Sequence, residues 1–480
     1  MSQQLPVPTL YPKVQALSDD QIQAIHSASL EILEKTGVEM QDPHGRKLLL
    51  EAGAWESGGR IKIPEKLLTD ALASAPSRIP MYDRLGNLTM PLEQGKVFFG
   101  PGSDTTFTLD LDTGERRRPV SQDVENFARV ADSLDNIDFV MCMGNVSDVP
   151  SDDLYIHEFA SMIRGSVKPN VYTVKDRKDL EDIYRIGVAV AGGEQALREK
   201  PFFLLYPEPI SPLLMPEEVV QKIIFCAEKW LPTGFIPATN CGGGGPITLA
   251  GAIALGNAEC LTGLIITQLV SPGAPFLYGF NTATLDMKTS VVSYGCPEWS
   301  MSMMAGSDLA RFYGLPAWGF GGASDSNRVD AQFGAEATFS IMSALLSRTT
   351  LVHDVGYIEH GSTSSLEALV IANEIIGMTR FMAEGIPINK TTLALDVIDR
   401  ARPGGGFLAD DHTLDNWRWA QWTPDLIDRN RYDRWVKRGS RDMFVRANER
   451  ARKLLAEHEV VPLSDDVETV IAEILAERAG

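Results

Sequence analysis

The chain is poor in basic residues: 44 Lys and Arg stand against 64 Asp and Glu, a formal charge of −20. Nucleic acid and anionic membrane both need basic surface to displace counterions, so this balance argues against either as a partner and suits a cationic small molecule. Cysteine is scarce as well. The five thiols, Cys142, Cys226, Cys241, Cys260 and Cys296, form no CxxC pair and leave one odd, which points to free thiols in a reducing cytoplasm. No GxGxxG opens a helix after a strand, so no dinucleotide site is indicated. No GK[ST] follows Gly242–Gly245, and Pro246 behind them suits a helix start, so these glycines read as tight backbone and not as a phosphate cradle. Long apolar runs are missing too. Ala250–Val270 is broken by Gly, Asn, Glu and Thr and reads as a buried helix, not a membrane span. The opening MSQQLPVPTLYPK lacks a basic region followed by an apolar core, so no secretory signal is expected.

What is present is a 480-residue chain that is 44% hydrophobic, enough to bury one large domain with extensions. Residues 1–130 read as a helical and β-hairpin extension. Ser18–Lys35 has an amphipathic pattern, Asp42–Gly53 and Pro64–Ala75 follow, and Gly86–Asn87 and Thr113–Gly114 mark turns between extended runs. Over 131–405, strand-like segments recur at Phe139–Met143, Val171–Val174, Phe202–Tyr206, Gly234–Ile236, Pro275–Tyr278, Ala317–Gly319, Thr350–His353 and Thr392–Leu395, alternating with helical patterns. Eight such units predict a parallel (β/α)₈ TIM barrel. Residues 406–480 read as a helical tail rich in Trp, suited to clamping onto the body or to self-association into a homo-oligomer.

In a barrel of this kind the carboxyl ends of the strands converge on one mouth. Strand three ends in Pro207–Glu208–Pro209, and strand four ends in Asn240–Cys241. The later ends bring Tyr278, Phe280 and Asn281, then Trp318, Phe320, Asp325 and Ser326, then His353, Asp354, Tyr357, Glu359 and His360. Rings with acidic neighbours suit a quaternary ammonium, which has no N–H to donate and is held by cation–π faces. Two other readings stay open. His353, His360 and Cys241 could ligate zinc in a thiol methyltransferase, although their spacing is neither HxxxH nor HExxH. The same pocket could also belong to a catalytically silent quaternary-amine binding protein.

Three stretches give the chain a family resemblance: GGGGPITLAGAIALGNAECLTGLIITQLVSPGAPFLYG, WGFGGASDSNRVDAQFGAEA and LVHDVGYIEHGSTSSLEALVIANEIIGMTR. Together with GPGSDTTFTLDLDTGERRRPVSQDVENFARVADSLDNIDF and the GGFLADDHTL of the tail, they resemble the trimethylamine methyltransferase family over most of the chain. The resemblance implies a (β/α)₈ barrel that moves a methyl group from a methylated amine to the cob(I)alamin of a separate corrinoid protein, with no tightly bound cofactor or metal of its own. Members that use trimethylamine carry pyrrolysine, whereas this chain has only the standard twenty residues, which places it with the branch that includes glycine betaine:corrinoid methyltransferase. A betaine is already quaternary and leaves as a neutral tertiary amine, so no general acid is required. On this basis His353, Asp354 and Glu359 are the expected catalytic residues. Tyr278, Trp318, Phe320 and Tyr357 are the expected walls for the trimethylammonium, with Asp325 as further countercharge. Asn281, Ser326 and His360 are the expected partners of a substrate carboxylate, together with His353.

Overall fold

Short runs of apolar and aromatic residues make the central strands. In the computed structural model, which describes residues 12–479, seven of them run parallel within a mixed α/β fold: β1 (Phe98–Pro101), β2 (Asn170–Tyr172), β3 (Phe203–Leu205), β4 (Thr233–Gly234), β5 (Phe276–Leu277), β6 (Trp318–Phe320) and β7 (Leu351–Val355). β2, β3, β4 and β5 pair in chain order, and β7 pairs between β6 and β1. The two sets touch at both sides. Tyr278 bridges Ala317, Val140 bridges Asn170, and Asp138 N donates to Phe99 O at 2.6 Å. These joins are isolated bridges, and among the described residues no continuous ladder closes the strands into a ring.

Two strand assignments from the sequence are corrected. Thr392–Leu395 is helical, divided between Lys390–Leu393 and Leu395–Ala401. Asn389 decides this locally: its side chain accepts from Thr391 N and Thr392 N, so a cap outweighs the β-branched residues. The strand beside β7 is instead β1, which lies inside the stretch read as N-terminal extension. Phe139–Met143 contributes only the bridge at Val140.

The extension is part of the core. The hairpin Arg78–Tyr82/Leu88–Glu93 places Ile79, Met81, Met90 and Leu92 in one apolar cluster with Val171, Leu204, Leu277, Trp318 and Leu351 of the parallel strands. Each such fully buried side chain contributes about 1.5–3 kcal/mol. Leu249–Val270 is the one described helix long and apolar enough to cross a membrane by length and composition, and it is buried almost throughout. The helices Asp19–Glu31, Pro43–Glu51 and Glu65–Ser74 pack over it, which explains why it is apolar on every side. At the other end, Met443–Glu457 packs on the helix Leu366–Ala383, and Asp465–Ala479 packs on Arg177–Ala191. Buried Arg478 fixes that last contact, 2.7 Å from Asp179 and 2.8 Å from Asp182.

Candidate active site

β7 is buried along its length and delivers His353 and Asp354 toward its carboxyl end, 5% and 3% exposed. The chain then enters left-handed backbone at Asp354 (φ 76°), Gly356 (96°), Glu359 (53°), His360 (55°) and Gly361 (77°). A non-glycine residue held there costs on the order of 1–3 kcal/mol and persists only where its surroundings fix it. The turn at 322–326 does so: Glu359 N donates to Ser326 O at 2.7 Å, and Ser324 N donates to Tyr357 O at 3.1 Å. Ser326 is therefore a brace. Its hydroxyl donates to Asp330 at 3.0 Å, and Asp330 in turn caps the helix Ala331–Ser347 by accepting from Gln332 N and Phe333 N. Asp330→Ala is expected to lower stability by about 1 kcal/mol. Denaturant unfolding measures this, and an unchanged midpoint would remove the capping role.

Three rings meet behind that turn. Trp318 and His353 have ring centroids 4.4 Å apart, Tyr206 lies 4.9 Å from Trp318, and Tyr206 lies 6.4 Å from His353. Tyr206 hydrogen-bonds through its hydroxyl to the Ser103 hydroxyl, and the Tyr357 hydroxyl donates to the Ser103 carbonyl. Ser103, just after β1, thus ties the ends of β3 and β7 together. Gly102 makes this possible, because a Cβ there would lie 2.1 Å from the Tyr357 ring.

Several polar atoms in this group are buried without a hydrogen-bond partner: Trp318 Nε1, both nitrogens of His353, and Asp104 Oδ1. His353 Nδ1 is 2.6 Å from Asp354 Oδ1, but out of line for a hydrogen bond. Buried polar atoms are normally paired, so a convergence of unpaired ones marks a place where a bound molecule completes the pairing. The carboxyls here are held unusually neutral. Burial pushes Asp104 up to about 7, against the pull of Ser103. Burial pushes Glu208 up to about 7 as well; His353 opposes the rise, while Asp104 and Asp354 add to it. Glu208 nevertheless keeps accessible surface. The ring group is therefore reached from solvent beside Glu208, whose carboxyl interacts with His353, Asp104 and Asp354. Burial, with Asp104 or Asp354 next, also raises the phenols of Tyr206 and Tyr357, which stay neutral.

The other residues singled out from sequence fall in three places. Tyr278 and Phe320 are packing residues: Tyr278 donates to Asn257 Oδ1 at 2.7 Å and meets Phe280 and Tyr313 edge-on, and Phe320 stacks on Trp299 at 3.9 Å. They face the layer between strands and helices, a side that alternation alone does not reveal. Asp325, His360 and Glu359 form a rim. Asp325 accepts from Tyr294 N and from Ser293 Oγ and lies 3.1 Å from His360 Nδ1. Burial alone would raise the Glu359 carboxyl, but Arg116 at 2.7 Å and Thr363 hold it below its ordinary value. Asn281 pairs through its backbone in the strand Asn281–Leu285, and its buried Oδ1 has no partner. Ser103, Asp104 and Tyr206 were not foreseen as site residues, and Glu208 was seen at a strand end without a role. The GPGSD at 100–104 gave no signal because its strand read as part of a hairpin.

Cys241 is not joined to the histidines: its thiol is pushed up by burial, and Thr284 and Cys296 are among its neighbours. Among the described residues, the group with metal-ligand spacing is Asp104, Cys142 and Glu158, whose ligating atoms lie within 4.8 Å of one another. Glu158 already accepts from Val146 N and the Tyr172 hydroxyl, and the Cys142 thiol donates to Gly144 O at 3.2 Å. Burial raises the thiol and both carboxyls, which suits a neutral hydrogen-bonded cluster. The zinc set of His353, His360 and Cys241 is not assembled. A cleft of about 1240 Å³ is lined by Arg116, Phe333, Thr363 and Met443 and shares only Glu359 with the expected site residues. The ring group, with its unpaired donors, is therefore the better candidate on chemistry.

The trimethylamine methyltransferase (MTTB) family model matches residues 1–480. The chain belongs to the trimethylamine methyltransferase family. It is 31% identical over 471 residues to glycine betaine methyltransferase of Desulfitobacterium hafniense (strain Y51), covering 98% of each chain. It is 32% identical over 463 residues to trimethylamine methyltransferase MttB of Methanosarcina thermophila, covering 94% of each. The monomethylamine methyltransferase MtmB of Methanosarcina barkeri shares the fold, with a TM-score of 0.52 at 12% identity over 93% of this chain and 89% of that one. This family member is accordingly a methyltransferase, and the ring group around His353 is its candidate active site.

Proposed function

We propose that this methyltransferase takes a methyl group from a carboxylated quaternary amine, glycine betaine or a related betaine, and delivers it to a corrinoid protein. The observation that carries the reading is the meeting of three aromatic rings, two carboxyls poised near 7 and unpaired N–H groups around His353. Tyr206, Trp318 and Tyr357 supply ring faces for N-methyl groups. Trp318 Nε1–H and an N–H of His353 are donors for a carboxylate, and Asp354 beside Nδ1 holds the imidazole in place. Asp104 and Glu208, which titrate near 7, supply countercharge that is only partly developed until the cation binds. That matters because a strongly anionic site would stabilise the cationic ground state more than a transition state in which the positive charge is being lost. Glu359, paired with Arg116, builds the rim.

A corrinoid brought by the partner supplies a strongly nucleophilic cobalt centre. The ring group suits such an arrangement because it meets solvent at Glu208, and the task left to this chain is to orient one N–CH₃ and exclude water. In this reading the parallel strands form a (β/α)₈ barrel, with β1 and the segment at Val140 filling the two positions left by β2 to β7. The hairpin Arg78–Tyr82/Leu88–Glu93 stops its far end, and the extension and tail pack outside. The protein would work in the cytoplasm, where its thiols stay reduced.

A panel of betaines, choline and trimethylamine, scored by loss of cob(I)alamin absorbance, tests the proposal. Turnover is expected with a betaine and not with trimethylamine. Binding of every betaine by calorimetry with no change at cobalt would make the protein a silent binder. His353→Ala is expected to cost betaines about 1.5–3 kcal/mol, the range for hydrogen bonds to charged groups, and choline much less. Equal losses on both would show a structural histidine.

A further inference from the structure

Beside Asp104 stands a second carboxyl, Glu158, on the helix Leu154–Gly165. It is fully buried, and no cation is among the groups acting on it. The titratable groups that face it are Asp104, Cys142, Tyr172 on β2 and Tyr155 on its own helix. The nearby guanidiniums are engaged elsewhere. Arg164 on the same helix is turned to Glu468 and Glu125, and Arg478 holds Asp179, which acts on Tyr155 from the next helix. The ligating atoms of Asp104, Cys142 and Glu158 lie within 4.8 Å of one another. Two carboxyls so close and so dry do not both ionise, so the pair carries at most one charge near neutral pH. Burial raises both, and Asp104 adds to the rise at Glu158.

Hydrogens are scarce in this cluster. The Tyr172 hydroxyl has one, shared between Tyr155 O at 2.6 Å and Glu158 Oε2 at 3.2 Å. The Cys142 thiol gives its own to Gly144 O. Asp104 Oδ1 is buried without a partner, and the hydrogen left for it is the acid proton of Glu158. We propose, on the reading that Asp104 supplies countercharge to a bound quaternary amine, that Glu158 is a positioning residue: it keeps its proton, confines the single charge of the pair to Asp104, and turns its O–H to Asp104 Oδ1 when that charge forms. Asp104 is the member that ionises because it is only half-buried and joins the ring group through Ser103, whereas Glu158 has no exposure at all. The proton released on binding leaves Asp104 for solvent, and none passes between the two carboxyls. Hydrogen bonds of this kind are often long in ligand-free sites and close when the ligand arrives.

Infrared titration of the full-length, ligand-free protein tests this without any betaine. The acid carbonyl band that Asp104→Asn removes is expected to fade with a midpoint near 7, while the band that Glu158→Gln removes persists to pH 8 and above. Glu158→Gln keeps a donor and is expected to leave the Asp104 midpoint within about half a pH unit. Glu158→Met keeps the length and removes the donor. It is expected to raise that midpoint by about one to two units, the loss of a hydrogen bond to a charged group, and the pH at which betaine affinity rises should move up with it. An unmoved midpoint in Glu158→Met overturns the inference and makes Glu158 a packing residue. A lowered midpoint in either variant also overturns it, because Glu158 would then have been the charged member. Should Glu158→Met fold poorly, the Gln variant decides: a band present in wild type at pH 8 and missing from the variant supports the inference, and the absence of such a band overturns it. If no betaine binds while both bands behave as expected, the substrate assignment fails and the carboxyl pair stands.

Discussion

Trp318→Ala is expected to be the most damaging single change in the ring group. The indole is 2% exposed and packs with Leu204, Leu277, Leu351 and the hairpin residues Met81 and Leu92, so its removal leaves a cavity costing about 3–5 kcal/mol of stability. Affinity for a quaternary amine should fall by a further ~1–2 kcal/mol or more, measured by calorimetry on the folded fraction, because a desolvated ring face is lost. Trp318→Phe separates the two parts. It keeps a ring beside Tyr206 and His353 while removing the unpaired N–H and part of the ring volume. Its affinity losses should be larger for carboxylated ligands than for choline, and its stability loss should be smaller than that of the Ala variant. Unchanged binding of betaine and choline by both variants would take Trp318 out of the binding site.

Binding of the cation is expected to tighten as pH rises from about 6 to 8. Asp104 and Glu208 titrate near 7, so they are largely neutral below that window and charged above it. A bound ammonium favours their ionised forms, so binding should release protons, detected by calorimetry in buffers of different ionisation enthalpy. Glu208→Gln should weaken binding by about tenfold or more at pH 8, since a unit charge within about 12 Å of the cation is worth about 1.4 kcal/mol or more at an effective dielectric near 20, and much less at pH 6. A wild-type affinity flat across this range would refute the assignment of these carboxyls to the site. The sign for folding is opposite. The folded chain keeps these protons while the unfolded chain releases them near 4, so the stability these two groups contribute is present at low pH and declines between about 4 and 7.

The alternation of apolar strands with helices made the α/β class legible, and the resemblance carried by 242–279, 318–337 and 351–380 made the family legible. The positions of His353, Asp354, Trp318 and Tyr357 in or beside strands were readable from the apolar residues next to them. Ser103 and Asp104 were not, because β1 is four residues long and separated by most of the chain from β7, its partner in the sheet. Such pairing is set by tertiary packing and leaves no periodic trace. Tyr278 and Phe320 misled for a related reason: a strand buried on both faces gives no sign of which ring points inward.

The turn that follows β7 limits how this scaffold can diversify. With several left-handed residues braced against 322–326, altering 354–361 disturbs backbone conformation and bracing contacts together, so drift there is penalised before any new ligand is gained. Residues 207–210 have no left-handed backbone, and their backbone bonds, Ile236 N to Pro207 O and the Ile210–Leu214 pair, do not involve side chains. Glu208 and Ile210 are open to solvent there, and selection for a different substrate would find its cheapest route through that loop.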